Sequence, residues 1–223
     1  MAVPIRRANS NDVKFLAGVM LSASRSHVAR GMWDLIIGAD QAGCLDYLAR
    51  LAIAEPRSLY HYDSFLIAEV EGEPAAALCG FRIGSKSSGS KSSDEWALAG
   101  QAMSNVQRDL GWTEAEAAAS RQRVAPIWKA CMPPDIGADF IVENVATLPQ
   151  YRRRGLIGAL MHEVLEAASG RGCTLAQITT YIGNDAARSA YEKSGFRILD
   201  EKRCSEVQEI LGVPGFVRLT REL

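Results

Sequence analysis

The chain has 223 residues, of which 48% are hydrophobic, with 25 basic and 26 acidic side chains. A net charge near zero excludes a global field for nucleic acid, so any anion site must be local. The apolar content excludes a disordered chain and suits one large domain or one domain carrying an insertion. Cys44, Cys79, Cys131, Cys173 and Cys204 are scattered, with no Cys-x-x-Cys pair and no histidine at ligand spacing, which argues against a disulfide framework and a zinc site. No apolar run approaches the roughly 18 residues of a membrane span, and the start of the chain lacks an apolar signal segment, so a cytoplasmic protein is expected.

In chain order, residues 3–8 read as a strand, and Asn9-Ser10-Asn11-Asp12 offers caps for a helix carrying Val13, Phe15, Leu16, Val19 and Met20. A second helical region includes 32–37, breaks near Gly38 and resumes over about 41–54, with Pro56 as its stop. Residues 65–70 and 74–81 flank Glu71-Gly72-Glu73, the arrangement of a β-hairpin. The serine-rich run 85–93 has nothing to bury and is expected to be mobile. It opens an insertion at about 84–137 with helices over about 94–108 and from Thr113, where Thr113 and Glu116 have capping-box spacing. Pro126 falls in or near the end of the second of these, and Pro133-Pro134-Asp135-Ile136-Gly137 closes the excursion.

Residues 140–148 form an apolar strand pattern that passes through Pro149 into Arg152-Arg153-Arg154-Gly155. A helix then runs to about 169 with Leu156, Leu160, Val164, Leu165 and Ala168 on its core face. Helix N-termini expose unpaired N–H groups at the positive end of the macrodipole, so this basic turn suits a phosphate or pyrophosphate. A strand at 174–181 follows, then a helix at 185–194 capped by Asn184 and stopped by Gly195. Strands at 196–199 and 216–219, with Val213-Pro214-Gly215 as the turn signal between them, complete the chain.

Residues 184–196 carry the pattern Asn-x-x-Ala-x-x-x-Tyr-Glu-Lys-x-Gly-Phe. Together with the strand, basic turn and helix before it, this segment resembles the GCN5-related N-acetyltransferase (GNAT) superfamily over residues 140 to about 203. The resemblance implies an α+β fold, a central, mostly antiparallel, splayed mixed sheet flanked by helices. The whole of 1–223 would be one such domain, with the insertion at 84–137 unexplained by the family. It also implies acetyl-CoA as co-substrate, no metal, and direct transfer of the acetyl group to a primary amine of a small-molecule or peptide acceptor. Neither nucleic acid nor a membrane is expected as a partner, and a homodimer is left open. A non-catalytic CoA-binding or regulatory domain of the same fold is the alternative.

The family's cofactor loop falls on Arg152, Arg153, Arg154, Gly155, Leu156 and Ile157. Ile157 departs from the family's small residue, so its branched side chain must point into the core, and Gly158 next to it relieves crowding. By resemblance, loop N–H groups from about Arg154 to Ala159 would meet the diphosphate, backbone groups of Val145, Ala146 and Thr147 would pair with the pantetheine arm, and Asn184 would lie beside it. Strand alternation places Glu143 on the face of Val145 and Thr147, where a carboxylate can take the proton of the acceptor amine; the competing role is a surface ion pair. Tyr191 matches the family tyrosine that protonates the departing thiolate, against a packing role beside Phe196. His27, His61 and His162 are weaker candidates. For Trp33, Tyr60, Tyr62, Trp96, Trp112 and Trp128, core packing is favoured, with the wall of an acceptor pocket as the other reading.

Overall fold

Alternating apolar runs and helical repeats predict an interleaved chain, and a computed structural model, which describes residues 3–83, 95–131 and 137–223, has that form. Its strands are β1 Ile5–Arg7, β2 Phe65–Val70, β3 Glu73–Arg82, β4 Phe140–Thr147, β5 Leu175–Tyr181, β6 Arg197–Arg203 and β7 Gly215–Glu222. Its helices are α1 Val13–Arg25, α2 Met32–Ile37, α3 Gln41–Leu51, α4 Glu95–Asp109, α5 Glu114–Cys131, α6 Leu156–Ser169, α7 Asp185–Lys193 and α8 Ser205–Leu211. The serine-rich run 85–93 and the breakers at 133–136 lie outside the described residues. Among the described residues no helix is long and apolar enough to cross a membrane.

The seven strands lie in the order β1-β2-β3-β4-β5-β7-β6, antiparallel except where β4 meets β5. That parallel pairing holds only for Phe140–Ala176, Ile141–Gln177 and Val142–Ile178. Beyond Val142 the two strands part, and the sheet is splayed as expected.

Each face of the sheet has its own core. On one, Leu16, Met20, Tyr47, Leu48 and Leu51 from α1 and α3 pack over Phe65 and Ile67. On the other, Leu160, Met161 and Leu165 of α6 pack with Leu78, Val142, Ile178 and Phe196. Fully burying one such side chain contributes about 1.5–3 kcal/mol, so the periodicity of α6 suffices to seat it. Gly80 permits the approach of that helix, because a Cβ there would sit 2.6 Å from Phe140 Cζ and 2.7 Å from Val164 Cγ2. The capping box forms at α5, where Thr113 N–H donates to Glu116 Oε2 at 2.7 Å and Glu116 N–H to Thr113 Oγ1 at 3.3 Å. Pro126 lies inside that helix.

Some elements differ from the sequence reading. The helix expected to reach residue 54 ends at Leu51, because the Ala52 carbonyl accepts from Tyr62 N–H at 2.8 Å and the next N–H groups make shorter-range bonds. The strand expected at 196–199 extends to Arg203, pairing as far as Gly215. As an edge strand exposed throughout, it tolerates the charged Asp200-Glu201-Lys202-Arg203 run that obscures a strand pattern. Helix α8 was absent from the sequence reading, although Gly212, in the left-handed conformation at its end, is the ordinary stop signal.

Candidate active site

The parting of β4 from β5 is reinforced by a bulge. Thr147 and Ala146 pair with Ala76 and Ala77, Glu143 pairs with Cys79, and the register slips between Ala77 and Cys79. The extra residue is accommodated by Asn144 at φ +55°, a conformation asparagine tolerates better than most residues. This overturns the simple alternation. Glu143 shares a face with Ala146, on the side of Cys79 and Ala77, while Val145 lies with Val142 and Phe140 against the α6 core. A period of two holds only for an unbulged strand.

The gap opens into a cleft of about 1730 Å³ that crosses the sheet. On the α6 side it is lined by the arginine turn. After a 3₁₀ turn at Pro149–Tyr151, Arg153 and Gly155 both adopt positive φ, +63° and +75°. Arg152, Arg153, Arg154 and Gly155 are exposed, and the Arg154 guanidinium lies 5.5 Å from the Tyr151 ring centroid. Gly155 is the N-cap of α6, so the first-turn N–H groups have no partner within the helix. A Cβ at Gly155 or Gly158 would meet nothing within 4 Å, which leaves backbone open to a phosphate-bearing group. Ile157 packs against the α6 core as its shape requires, and Leu156 is buried there. Ala159 departs from the expected cradle: its N–H donates to the Gly155 carbonyl at 3.2 Å, because the helix closes its first turn at that residue.

Glu143 stands where the two sides of the cleft meet. Burial pushes its carboxyl from an ordinary 4.5 up to about 7, opposed by the Asn144 backbone N–H. Tyr191, on α7, is 5% exposed and also lines the cleft; burial chiefly, and then the Glu143 charge, raise its phenol. Burial and the same carboxylate also raise Tyr60, and Tyr181 is pushed up to about 12 by burial first, with Glu143 a smaller contribution. One carboxylate therefore acts on three tyrosines. Tyr181 was not singled out by sequence, since a tyrosine closing a strand gives no local sign of what it will face.

Asn184 also borders the cleft, but its side chain works within the protein. Its Oδ1 accepts from Ala187 N–H at 3.2 Å to cap α7, and its Nδ2 donates to Thr180 Oγ1 at 3.1 Å and to Ser26 Oγ. Ser26 ends α1 at φ +56°. Tyr181 Oη donates to the Ser24 carbonyl at 3.1 Å, so the end of α1 is tied twice to β5 and its following turn. His27, beside Ser26, lines the cleft, as does His162 of α6; His61 is buried, with Nδ1 2.7 Å from Asp63 Oδ1.

Residues 124–196 match the sequence model of the Acetyltransferase (GNAT) family. No curated protein matches the chain significantly. Among solved structures, an acetyltransferase superposes with a TM-score of 0.67 at 16% identity, covering 98% of each chain. An N-acetyltransferase from Staphylococcus aureus Mu50 gives 0.62 at 17% identity, over 97% of this chain and 99% of the other. An agmatine N-acetyltransferase gives 0.54 at 15% identity, over 100% of both. These identities speak for the fold, and the sequence match covers the turn, β5 and the Asn184–Phe196 segment. Residues 124–196 are thus similar to the GNAT acetyltransferase family, and the splayed sheet and order of elements are the fold of these acetyltransferase structures.

Proposed function

We propose that this single domain transfers an acetyl group from acetyl-CoA directly to a primary amine. The observation that carries this is the shared cleft: the exposed arginine turn, the freed edge of β4 beyond Val142, Glu143 and Tyr191 all border it. The diphosphate meets Arg152, Arg153 and Arg154 and the N–H groups of Gly155, Leu156, Ile157 and Gly158. Charge-assisted bonds of this kind are roughly twice as strong as neutral ones. Val145, Ala146 and Thr147 offer backbone groups to the pantetheine arm, and Asn184 holds that wall in place through its own bonds.

An amine near its usual pKa is protonated at neutral pH and cannot attack a thioester. Glu143, with its carboxyl near 7, takes that proton directly or through one water. The Val145 N–H, at the bulge where the register with β3 slips, polarises the acyl carbonyl. Tyr191, whose phenol stays protonated, donates to the departing thiolate.

Melting with and without CoA tests the first half: a hundredfold excess over Kd stabilises the folded chain by about 2.7 kcal/mol, and no shift at millimolar CoA refutes the reading. Thiol release on a panel of amines tests the second. If Glu143→Gln and Tyr191→Phe both turned over like the parent, the roles given to these residues would be wrong.

A further inference from the structure

Beyond Glu143 the cleft continues across the sheet into a chamber walled by rings. Trp33, 4% exposed, meets Tyr60 edge to face with centroids 5.0 Å apart, and Phe216 of β7 lines the same space. The outer wall comes from the inserted helices, with Trp96 on α4 and Trp128 on α5. Trp96 packs edge to face on Phe81 at 5.6 Å, yet it is 42% exposed and Trp128 is 43% exposed. Among the described residues, the five exposed large hydrophobic side chains include only these two aromatics, and both line the cleft. Ring surface left in water within a concave site is surface kept for a ligand.

The charges narrow the guest further. Among the described lining residues only Glu143 and Asp200 are acidic, and Asp200 is engaged by the buried Arg218 of β7. Among the described lining residues one carboxylate is then left to attract one ammonium. A polyamine or an aminoglycoside brings several positive charges, and the described lining residues would leave all but one of them against rings and a guanidinium. A single cation beside Glu143, with its remaining bulk against indole faces, satisfies both the charge and the apolar wall.

We propose that the acceptor is a monoamine carried on an aromatic or similarly flat apolar body, held by Trp96 and Trp128 with its amine toward Glu143. This rests on the acetyl-transfer reading and assigns the insertion a task in acceptor recognition. The experiment is thiol release by the full chain at saturating acetyl-CoA with phenethylamine, tryptamine, spermidine and a short peptide with a free N-terminus. CoA affinity is measured separately by calorimetry. The two arylalkylamines are expected to show at least tenfold higher kcat/KM than spermidine or the peptide. Trp128→Ala and the milder Trp128→Phe are expected to raise KM for them severalfold and in that order, with kcat and CoA affinity little changed. Preferred turnover of spermidine or the peptide, or a KM indifferent to both Trp128 variants, overturns the acceptor class while leaving acetyl transfer standing. CoA binding with no turnover of any amine in the panel overturns both.

Discussion

The two halves of the cleft are built from different material. On the α6 side the wall is backbone fringed by arginine side chains, made of a turn with two residues at positive φ, two glycines and a helix end. Across the sheet it is side chain, made of rings from α2, α4, α5 and β7 and a carboxylate from β4. A backbone wall fits a ligand group shared by many proteins, whereas a side-chain wall can be remade without disturbing the fold. Under the acetyl-transfer proposal, the difference gives affinity for the nucleotide end of acetyl-CoA to one half, and chemistry and choice of acceptor to the other.

The largest expected effect lies where the halves meet. Glu143→Gln should lower kcat by about 10²–10⁴-fold, the usual worth of a positioned general base, with CoA affinity measured by calorimetry unchanged. An equal loss of CoA affinity would mean that Glu143 belongs to the cofactor half. Next in size, Gly155→Val puts a branched side chain at φ +75°, which costs about 1–2 kcal/mol of backbone strain. It should weaken CoA at least tenfold while leaving the relative rates on different amines unaltered.

Titration of Glu143 gives a third expectation. Its carboxyl is raised from 4.5 to about 7 on folding, so between those values the folded chain keeps a proton that the unfolded chain has released. Stability contributed there is present below about pH 4.5 and is lost as pH rises through about 7. Glu143→Gln should therefore melt several degrees higher than the parent at pH 8 and show no such gain at pH 4, while kcat/KM of the parent rises through pH 7 as the base is freed. A variant no more stable at pH 8 than at pH 4 would place the carboxylate in water. The smallest effect is set at Gly158, where a Cβ meets nothing within 4 Å. Replacing a helical glycine by alanine contributes about 0.5–1 kcal/mol, or roughly 1–4 °C in Tm. Gly158→Ala should thus melt higher but bind CoA a few-fold more weakly; unchanged CoA affinity would remove Gly158 from the cradle.

The same contrast explains what was legible in the sequence. The arginine turn, Gly155 and the Asn184–Phe196 segment are contiguous, so their spacing could be read directly, as could β2, β3 and the faces of α1 and α6. The ring wall could not, because Trp33, Trp96, Trp128 and Phe216 meet only through topology, and no local pattern separates a tryptophan that packs from one that waits for a ligand. The face of Glu143 was misread for a local reason, since one residue at φ +55° reverses the count along a strand. Helix α8 went unread because seven residues beginning Ser205-Glu206 supply barely two turns of periodicity, and the charged tail of β6 hid where the strand stopped.

Asn184, the N-cap of α7, ties the end of α1 to β5 through Ser26 and Thr180. Anyone transplanting the segment between α1 and α2 from an acetyltransferase of the same fold, in the hope of importing a new acceptor preference, would have to bring a hydroxyl at position 26 with it. Without that hydroxyl the amide loses a partner, and the graft would perturb the lip of the cleft proposed to take acetyl-CoA. Redesign of the proposed acceptor site is therefore safer from α4 and α5, whose Trp96 and Trp128 can be exchanged without cutting this tie.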